Sequence, residues 1–230
     1  MYSIEFPNPR THEFSDWVMF GEYYYDTRDI IGFGGELTIE NLRTAYRKGI
    51  FPWHIEGLPL PWFCPEKRAI LQFNQLHIPK SLRKERQKNL YTFTIDKDFE
   101  AVIRECAKAK RNDSNGTWIT DGFIESYVKF HEEGDAHSVE VWDKAGKLVG
   151  GLYGVDASGV FCGESMFRIE PNASKFALLH LVEHLKTRGA TWLDIQVMTP
   201  HFAVLGANEI TRRDFIDLLE QIQAQDLKLF

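Results

Sequence analysis

Between Phe161 and Gln196 the sequence sets out a strand, a helix and a second strand in close succession, and this stretch does most to limit the folds open to the chain. It reads Phe161-Cys-Gly-Glu-Ser-Met-Phe167, then Asn172-Ala-Ser-Lys175 opening a helix, then Trp192-Leu-Asp-Ile-Gln196. Two apolar strand-like runs flank an amphipathic helix, and each run carries polar side chains. Asp194 and Gln196 are two residues apart, so on a strand they point to the same face. A carboxylate and an amide on one face of an apolar strand are costly to bury without partners. They form either a satisfied structural pair or a site.

The rest of the chain supplies more strands and helices. Thr38 has the character of an N-cap, and the helix Ile39 to Lys48 stops at Gly49. Gly32-Phe-Gly-Gly35 reads as a turn, and Pro59, Pro61 and Pro65 make the following stretch extended and loop-like. This Pro- and Trp-rich region places a domain boundary near residue 65. Residues 1–30 are aromatic and acidic and give no element. Ala69 to Phe73 and Tyr91 to Ile95 read as strands, and Pro79 to Lys88 as a basic helix. Asp98 to Ala109 and Phe123 to Glu132 read as helices, the first with Phe99, Val102, Ile103 and Cys106 at helical spacing. A meander over Ser138–Trp142, Leu148–Val155 and Val160–Phe167 precedes the helix Ser174 to Arg188, the strand Thr191 to Val197 and the helix Arg213 to Gln223. Strands in a run flanked by helices indicate an α+β fold or a mixed α/β sheet.

Composition excludes several classes. At 43% hydrophobic and 26% charged residues the chain has the make-up of an ordinary soluble globular protein. No apolar run nears the roughly 18 residues a membrane span needs, so no membrane partner is expected. The start, Met1-Tyr-Ser-Ile-Glu-Phe-Pro, lacks the regions of a signal peptide. Three scattered cysteines, Cys64, Cys106 and Cys162, fit neither a disulfide framework nor a four-cysteine zinc site, and they fit a reducing cytoplasm. A net charge of -6 speaks against indiscriminate nucleic-acid binding, DNA included, and leaves room for a local basic patch.

Several motifs have competing readings. His180-Leu-Val-Glu183-His184 matches H-x-x-E-H, but Leu178, Leu181, Val182 and Leu185 define the buried stripe and put His180, Glu183 and His184 on the far side of the helix. No metal is therefore expected. Gly163-Glu-Ser165-Met-Phe167 is half of a nucleophile elbow, with Phe167 where a second glycine belongs. Cys162 inside an apolar strand reads as a small core residue rather than a nucleophile. Gly32-Phe-Gly-Gly35 lacks the spacing of a dinucleotide or phosphate loop. Gly150, Gly151 and Gly154 suggest a bulge or close approach of the backbone to a ligand. The cations Lys80, Arg83, Lys84, Arg86 and Lys88 face one acid, Glu85, in the same run. This is either a solvated helix or a phosphate-binding patch.

At these residues the chain resembles the leucyl/phenylalanyl-tRNA–protein transferase family. The matching stretches are Gly34–Leu37, Ala45–Trp53, Pro65–Ile70, His77–Ser81, Gly116–Thr120, Ala136–Trp142, Leu148–Val155, Phe161–Phe167, Asn172–Lys175, Asp194–Val197, Leu205–Ala207 and Arg212–Asp214. They run in order from residue 34 to 214, while the first 30 residues match poorly. The resemblance implies transfer of Leu or Phe, and also Met, from aminoacyl-tRNA to the N-terminal Arg or Lys of a protein, marking it for degradation. It implies an α+β fold with a small N-terminal domain over residues 1–65 and a GCN5-acetyltransferase-like mixed sheet flanked by helices over 66–230. No acyl-CoA pyrophosphate loop follows the strand at 160–167, so coenzyme A is not expected, nor any other cofactor. The alternatives are a GCN5-like N-acyltransferase using another activated donor, and a non-catalytic module that binds tRNA or peptide.

The resemblance also implies a site. Gln196 would accept a hydrogen bond from the attacking amine, Asp194 would orient that amine and stabilise its developing charge, and Glu164 would hold an ammonium or the acceptor's cationic side chain. Leu152, Phe161, Phe167, Leu178, Leu181 and Ile195 would form the aminoacyl pocket. Without the resemblance these six read as core. Trp53 and Trp118 would stack on the terminal adenosine of the tRNA or plug the domain interface. Lys80, Arg83, Lys84 and Lys88 would meet tRNA phosphates.

Overall fold

The computed structural model describes residues 4–109 and 117–230. Residues 1–3, which open the stretch read for a signal peptide, and Gly116, which opens one of the resembling stretches, lie outside the described residues. The N-terminal part begins with a hairpin of β1 (Trp17–Phe20) and β2 (Tyr23–Asp26). A three-stranded sheet follows, in the order β3-β5-β4, made of β3 (Ile30–Phe33), β4 (Phe51–Pro52) and β5 (Pro61–Phe63). The first 30 residues therefore hold elements that the sequence reading left out, and the Pro-rich stretch is partly strand. Helix α1 (Ile39–Arg47) starts at Thr38, whose hydroxyl accepts from the Asn41 amide at 3.2 Å. It ends at Gly49, where the left-handed backbone (φ +74°) favours glycine.

From residue 67 onward the strands form a seven-stranded sheet in the order β12-β6-β11-β10-β9-β8-β7. They are β6 (Lys67–Gln72), β7 (Thr92–Ile95), β8 (Ala136–Trp142), β9 (Leu148–Asp156), β10 (Phe161–Arg168), β11 (Trp192–Gln196) and β12 (Asn208–Thr211). Neighbours are antiparallel except β10 and β11, which are parallel. Parallel strands need a crossover, and here it is α5 (Ala173–Thr187). The other helices are α2 (Lys80–Arg86), α3 (Phe99–Lys108), α4 (Asp121–Glu132), α6 (Pro200–Val204) and α7 (Arg212–Gln223).

Both faces of this sheet are covered. Along β11, Trp192 joins a buried cluster with Phe99, Tyr127 and Phe215, while Leu193 and Ile195 join a second cluster with Leu178, Leu181 and Leu185 of α5. The first cluster also takes in Leu42, Tyr46, Phe51 and Trp62, so one apolar core runs from the N-terminal elements into the large sheet. Leu82 of α2 packs on Phe176 and Leu179, which ties the basic helix to the outer side of α5.

Candidate active site between two parting strands

The parallel pair β10–β11 is registered at one position, Cys162 with Asp194. Beyond it both strands are irregular. In β10, Gly163 pairs with Gly154 and Ser165 with Tyr153, which leaves Glu164 as the extra residue of a bulge. In β11, Asp194 pairs with Ile70 and Gln196 with Ala69, which leaves Ile195 extra. Gln196 then takes a left-handed backbone (φ +62°), rare for a residue with a side chain. A bulge bends its strand and re-aims a side chain. Two bulges next to the same register point part the strands and turn Glu164 and Gln196 toward one another.

The Gln196 amide Nε2 donates to Glu164 Oε1 at 2.6 Å. Glu164 Oε2 is buried without a hydrogen-bond partner. Burial pushes the Glu164 carboxyl up to about 7, against the opposing pull of the Tyr46 hydroxyl and the Gln196 amide. Behind Glu164, the Tyr46 and Tyr127 hydroxyls share a hydrogen bond of 2.6 Å. Burial first, and then the Glu164 carboxylate, push both phenols well above their ordinary range, so both stay neutral.

Asp194 sits apart from the space between the strands. Its carboxylate takes a two-pronged ion pair from Arg68, Nε to Oδ1 at 2.8 Å and Nη2 to Oδ2 at 2.6 Å, and both residues are buried. Burial works against the Arg68 charge, and Asp194 more than offsets it, so the guanidinium pKa lies above its ordinary value. The Arg68 plane lies over Phe51 and Phe215 and donates to the Gly49 carbonyl at 3.1 Å. Asp194 Oδ1 also accepts from the backbone N–H of Gln196 at 2.8 Å. The expectation that Asp194 meets an incoming amine therefore has to be corrected, because its oxygens are spent on Arg68 and on holding Gln196. Arg68 was not singled out in the sequence; its signal was an arginine placed two before Ile70 on a strand destined for burial.

A cavity of about 1580 Å³ opens at the parted strands. Leu152, Phe161, Phe167, Leu178, Leu181 and Ile195 line it, with Glu164 and Gln196. Phe167 belongs to one buried cluster and the other five to the second, which one cavity can join only where strands separate. Trp53 and Trp118 also line it, with ring centroids 5.5 Å apart. Arg168, Lys175 and His201 are also among the lining residues, and the sequence reading named none of them as site residues. Burial first, then Lys175 and Arg168, lower the His201 pKa.

Pairing shifts fall beside Gly150 and beside Gly154, the bulge that was one of the two readings expected of these glycines. A Cβ on Gly150 would lie 2.5 Å from that of Ala173, and one on Gly151 would come 3.0 Å from the Phe167 ring. One on Gly154 would come 2.6 Å from the Phe161 ring. Backbone carbonyls crowd two of these positions as well, Val139 O at 2.8 Å from a Cβ on Gly151 and Cys162 O closer still to one on Gly154, so the glycines accommodate both neighbouring strands and cavity-wall rings. Lys80, Arg83, Lys84 and Lys88 are exposed and lie outside the cavity lining. Their helix is set beside the start of α5 by Asn172 Nδ2, which donates to Glu85 Oε2 at 2.7 Å, and by an Arg86–Glu183 ion pair.

The remaining motifs are otherwise engaged. Glu183 pairs with Arg86, His180 stacks on Phe93, and His184 Nε2 meets the Leu229 carbonyl at 2.7 Å. Among the described residues the potential ligands that do lie close together are Asp96, His131 and His137. There, His131 Nδ1 lies 2.7 Å from the Ala136 carbonyl and His137 Nδ1 lies 2.7 Å from Asp96 Oδ2, so both ring nitrogens are used in hydrogen bonds. Cys162 is buried, and burial pushes its thiol well above the ordinary range, the opposite of an activated nucleophile.

The cavity, with a carboxyl–amide pair at its wall and two tryptophans in its lining, is the candidate site, and comparison with known proteins gives the family. The family model for leucyl/phenylalanyl-tRNA protein transferase matches residues 70–220, and the model for that family's N-terminal domain matches residues 35–66. A leucyl/phenylalanyl-tRNA–protein transferase of Chromohalobacter salexigens is 50% identical over 192 residues, covering 84% of this chain and 74% of that protein. One from Flavobacterium johnsoniae is 45% identical over 85% of this chain and 92% of its own length. One from Maridesulfovibrio salexigens is 45% identical over 84% and 80%. The chain belongs to the leucyl/phenylalanyl-tRNA protein transferase family. A solved structure, L-PGS from Bacillus licheniformis, overlaps 59% of this chain and 47% of its own, with a TM-score of 0.42 and 19% identity, too slight a likeness to fix the fold.

Proposed function

We propose that this chain transfers an aminoacyl group, leucyl or phenylalanyl and also methionyl, from aminoacyl-tRNA to the N-terminal Arg or Lys of a protein, and that this marks the protein for degradation in the cytoplasm. Membership of the family carries the activity. The single structural observation that supports the site is the Gln196–Glu164 hydrogen bond at the wall of the apolar cavity. Among the described residues no helix is long and apolar enough to cross a membrane.

In this reading the apolar walls hold the aminoacyl side chain, and Trp53 and Trp118 offer ring faces to the terminal adenosine. The nucleophile is an α-amine with an ordinary pKa of about 7.7–8.0, so a useful neutral fraction exists without a strong base. Its nitrogen attacks the ester carbonyl, the carbon–oxygen bond to the ribose breaks, and the ribose hydroxyl regains a proton as the amine loses one. Gln196 gives its N–H to Glu164, which turns its carbonyl oxygen to accept from the amine. Glu164, when ionised, receives an ammonium at Oε2. Asp194 is a positioning residue that fixes the Gln196 main chain and neutralises Arg68. Holding two substrates in register supplies much of the acceleration.

The chain is read as two units, residues 1–65 and 66–230, the second a GCN5-acetyltransferase-like sheet. The three-stranded sheet ends at Phe63 and the seven-stranded sheet starts at Lys67, which supports that division. Lys80, Arg83, Lys84 and Lys88, exposed beside the start of α5, are the proposed contacts to tRNA phosphates.

The test is transfer of labelled leucine from charged tRNA to a peptide beginning with Arg, run beside an acyl-CoA donor. Transfer from the tRNA alone supports the reading. Acylation from acyl-CoA would favour an N-acyltransferase, and binding without turnover a non-catalytic module.

A further inference from the structure

The cavity wall at Phe161 is supported from outside the cavity. The Phe230 ring lies 5.8 Å from that of Phe161, centroid to centroid, and Phe230 is not among the cavity-lining residues. On its other contacts Phe230 stacks on His137 at 3.8 Å with the planes 9° apart, and on His184 at 5.1 Å. His137 is itself fixed at both edges, by Asp96 Oδ2 at 2.7 Å and by the Gly134 carbonyl at 3.1 Å. The main chain before Phe230 is held too. Leu229 is fully buried, its carbonyl meets His184 Nε2, and Leu227 packs over Gly159. Phe161 in turn rests where Gly154 leaves room, since a Cβ there would come 2.6 Å from the ring. A continuous stack thus runs from the Asp96–His137 pair through Phe230 to a wall of the cavity.

We propose that Phe230 is a specificity-determining positioning residue: without touching substrate, it sets through Phe161 the depth of the aminoacyl pocket, and so the preference between a leucyl and a phenylalanyl group. The inference rests on the reading of this cavity as the aminoacyl pocket. Interiors are close-packed, so an aromatic ring held on one side cannot shift while its support is present. Phe230 is half-buried, and removing a packed ring opens space into which its neighbours relax in part. Once Phe230 is truncated, Phe161 has space to lean away from the cavity. A deeper chamber accommodates a benzyl group better and leaves an isobutyl group under-packed.

The experiment measures kcat/KM for leucyl- and phenylalanyl-tRNA with one Arg-initiated peptide, using the full chain and its Phe230→Ala, Phe230→Leu and Leu178→Ala variants. Phe230→Ala should raise the phenylalanyl-to-leucyl ratio by about 3- to 10-fold, less than the roughly 10- to 200-fold that a direct change of one methylene makes in an apolar pocket, because Phe230 acts through Phe161. Phe230→Leu, which keeps most of the bulk, should shift it less. Poor folding would lower both donors together, and the ratio is blind to it. An unchanged or lowered ratio in Phe230→Ala, with a changed ratio in Leu178→Ala, overturns the role of Phe230 and leaves the pocket standing. A ratio unmoved in both overturns the pocket reading, and this inference with it.

Discussion

Glu164 and Gln196 meet side chain to side chain, at 2.6 Å, across the gap where β10 and β11 part, and each owes its position to a β-bulge in its own strand. The bond fixes which end of the Gln196 amide faces the carboxyl. It also leaves Glu164 Oε2 buried without a hydrogen bond of its own, with the Tyr46 hydroxyl acting on the same carboxyl. Unpartnered buried polar atoms are few in native proteins and concentrate where a ligand completes them. Gln196→Ala should therefore reduce transfer by about 10²-fold or more, with charged-tRNA binding little changed. Single-turnover rates at saturating tRNA measure this, and near-normal turnover would make Gln196 a structural residue.

Glu164 gives a pH-dependent prediction whose sign is fixed. Its folded pKa, about 7, lies above the ordinary value of 4.5 because burial disfavours the charged form. Below the unfolded value the group is protonated in both states and contributes nothing. Between the two values the unfolded state loses its proton while the folded state keeps it, so stability falls as pH rises, and the full cost is present above about 7. Glu164→Gln keeps an acceptor for Gln196 and cannot ionise. Its melting temperature should match the parent near pH 4 and exceed it at pH 8. Equal shifts at both values would mean that Glu164 is not held near neutrality.

The Arg68–Asp194 pair separates stability from positioning. Breaking a buried pair from one side strands a charge, at a cost of about 3–5 kcal/mol. Asp194→Ala should lose stability on that scale in urea unfolding. Asp194→Leu combined with Arg68→Met removes both charges and should regain most of it. Transfer should nevertheless stay low in the double variant, since Gln196 has lost the carboxylate that holds its N–H. Full recovery of transfer along with stability would reduce Asp194 to a fold-stabilising residue.

How much of this was legible depends on whether a signal is local. The helix start at Thr38 was readable because a cap needs a side-chain acceptor within three residues, and Thr38 makes that bond, whereas the helix capped by Thr120 was read as starting late, at Phe123. The hairpin Trp17–Asp26 was not, because Tyr23 and Tyr24 are both exposed and show no alternation. Pro61 suggested a loop, yet it opens β5, where the first residue of a strand tolerates proline. The apolar residues around the cavity were picked out by resemblance, since burial alone makes them core. Arg68 and Asp194 lie 126 positions apart, and nothing local in either strand announces that bond. A bulge is likewise a property of two paired strands, so the sequence of β10 could suggest Glu164 but not that it is the residue squeezed out of register.

The basic helix yields a salt-dependent prediction. Arg86 is engaged with Glu183, whereas Lys80, Arg83, Lys84 and Lys88 face solvent. Reversing Arg83 and Lys84 to Glu should weaken tRNA binding and flatten its salt dependence by up to about two units of log–log slope, because each lost phosphate contact removes just under one. Reaction with a minimal aminoacyl-adenosine donor, which never reaches the helix, should be largely kept. Equal losses with both donors would show that α2 supports the fold rather than the tRNA.

Selectivity follows from the two ends of the cavity. As the proposed aminoacyl pocket, its apolar walls should reject charged side chains, because burying an unpaired charge costs several kcal/mol, and should separate leucyl, methionyl and phenylalanyl groups only by fit. Leucine, phenylalanine and methionine should transfer, and aspartate, lysine and arginine should not. Narrowing the chamber with Leu181→Trp should hurt phenylalanine more than leucine. Arg68 neutralises Asp194, so the acidic groups at the cavity that the proposal leaves for a cationic N-terminal residue are Glu164 and the exposed Glu56. Peptides beginning with Arg or Lys should outrun those beginning with Ala or Asp, and Glu164→Gln combined with Glu56→Gln should narrow that gap. A competition assay with peptides differing only at the first residue measures it. Efficient modification of an Asp- or Ala-initiated peptide by the parent enzyme would overturn the acceptor assignment and leave the donor chemistry intact.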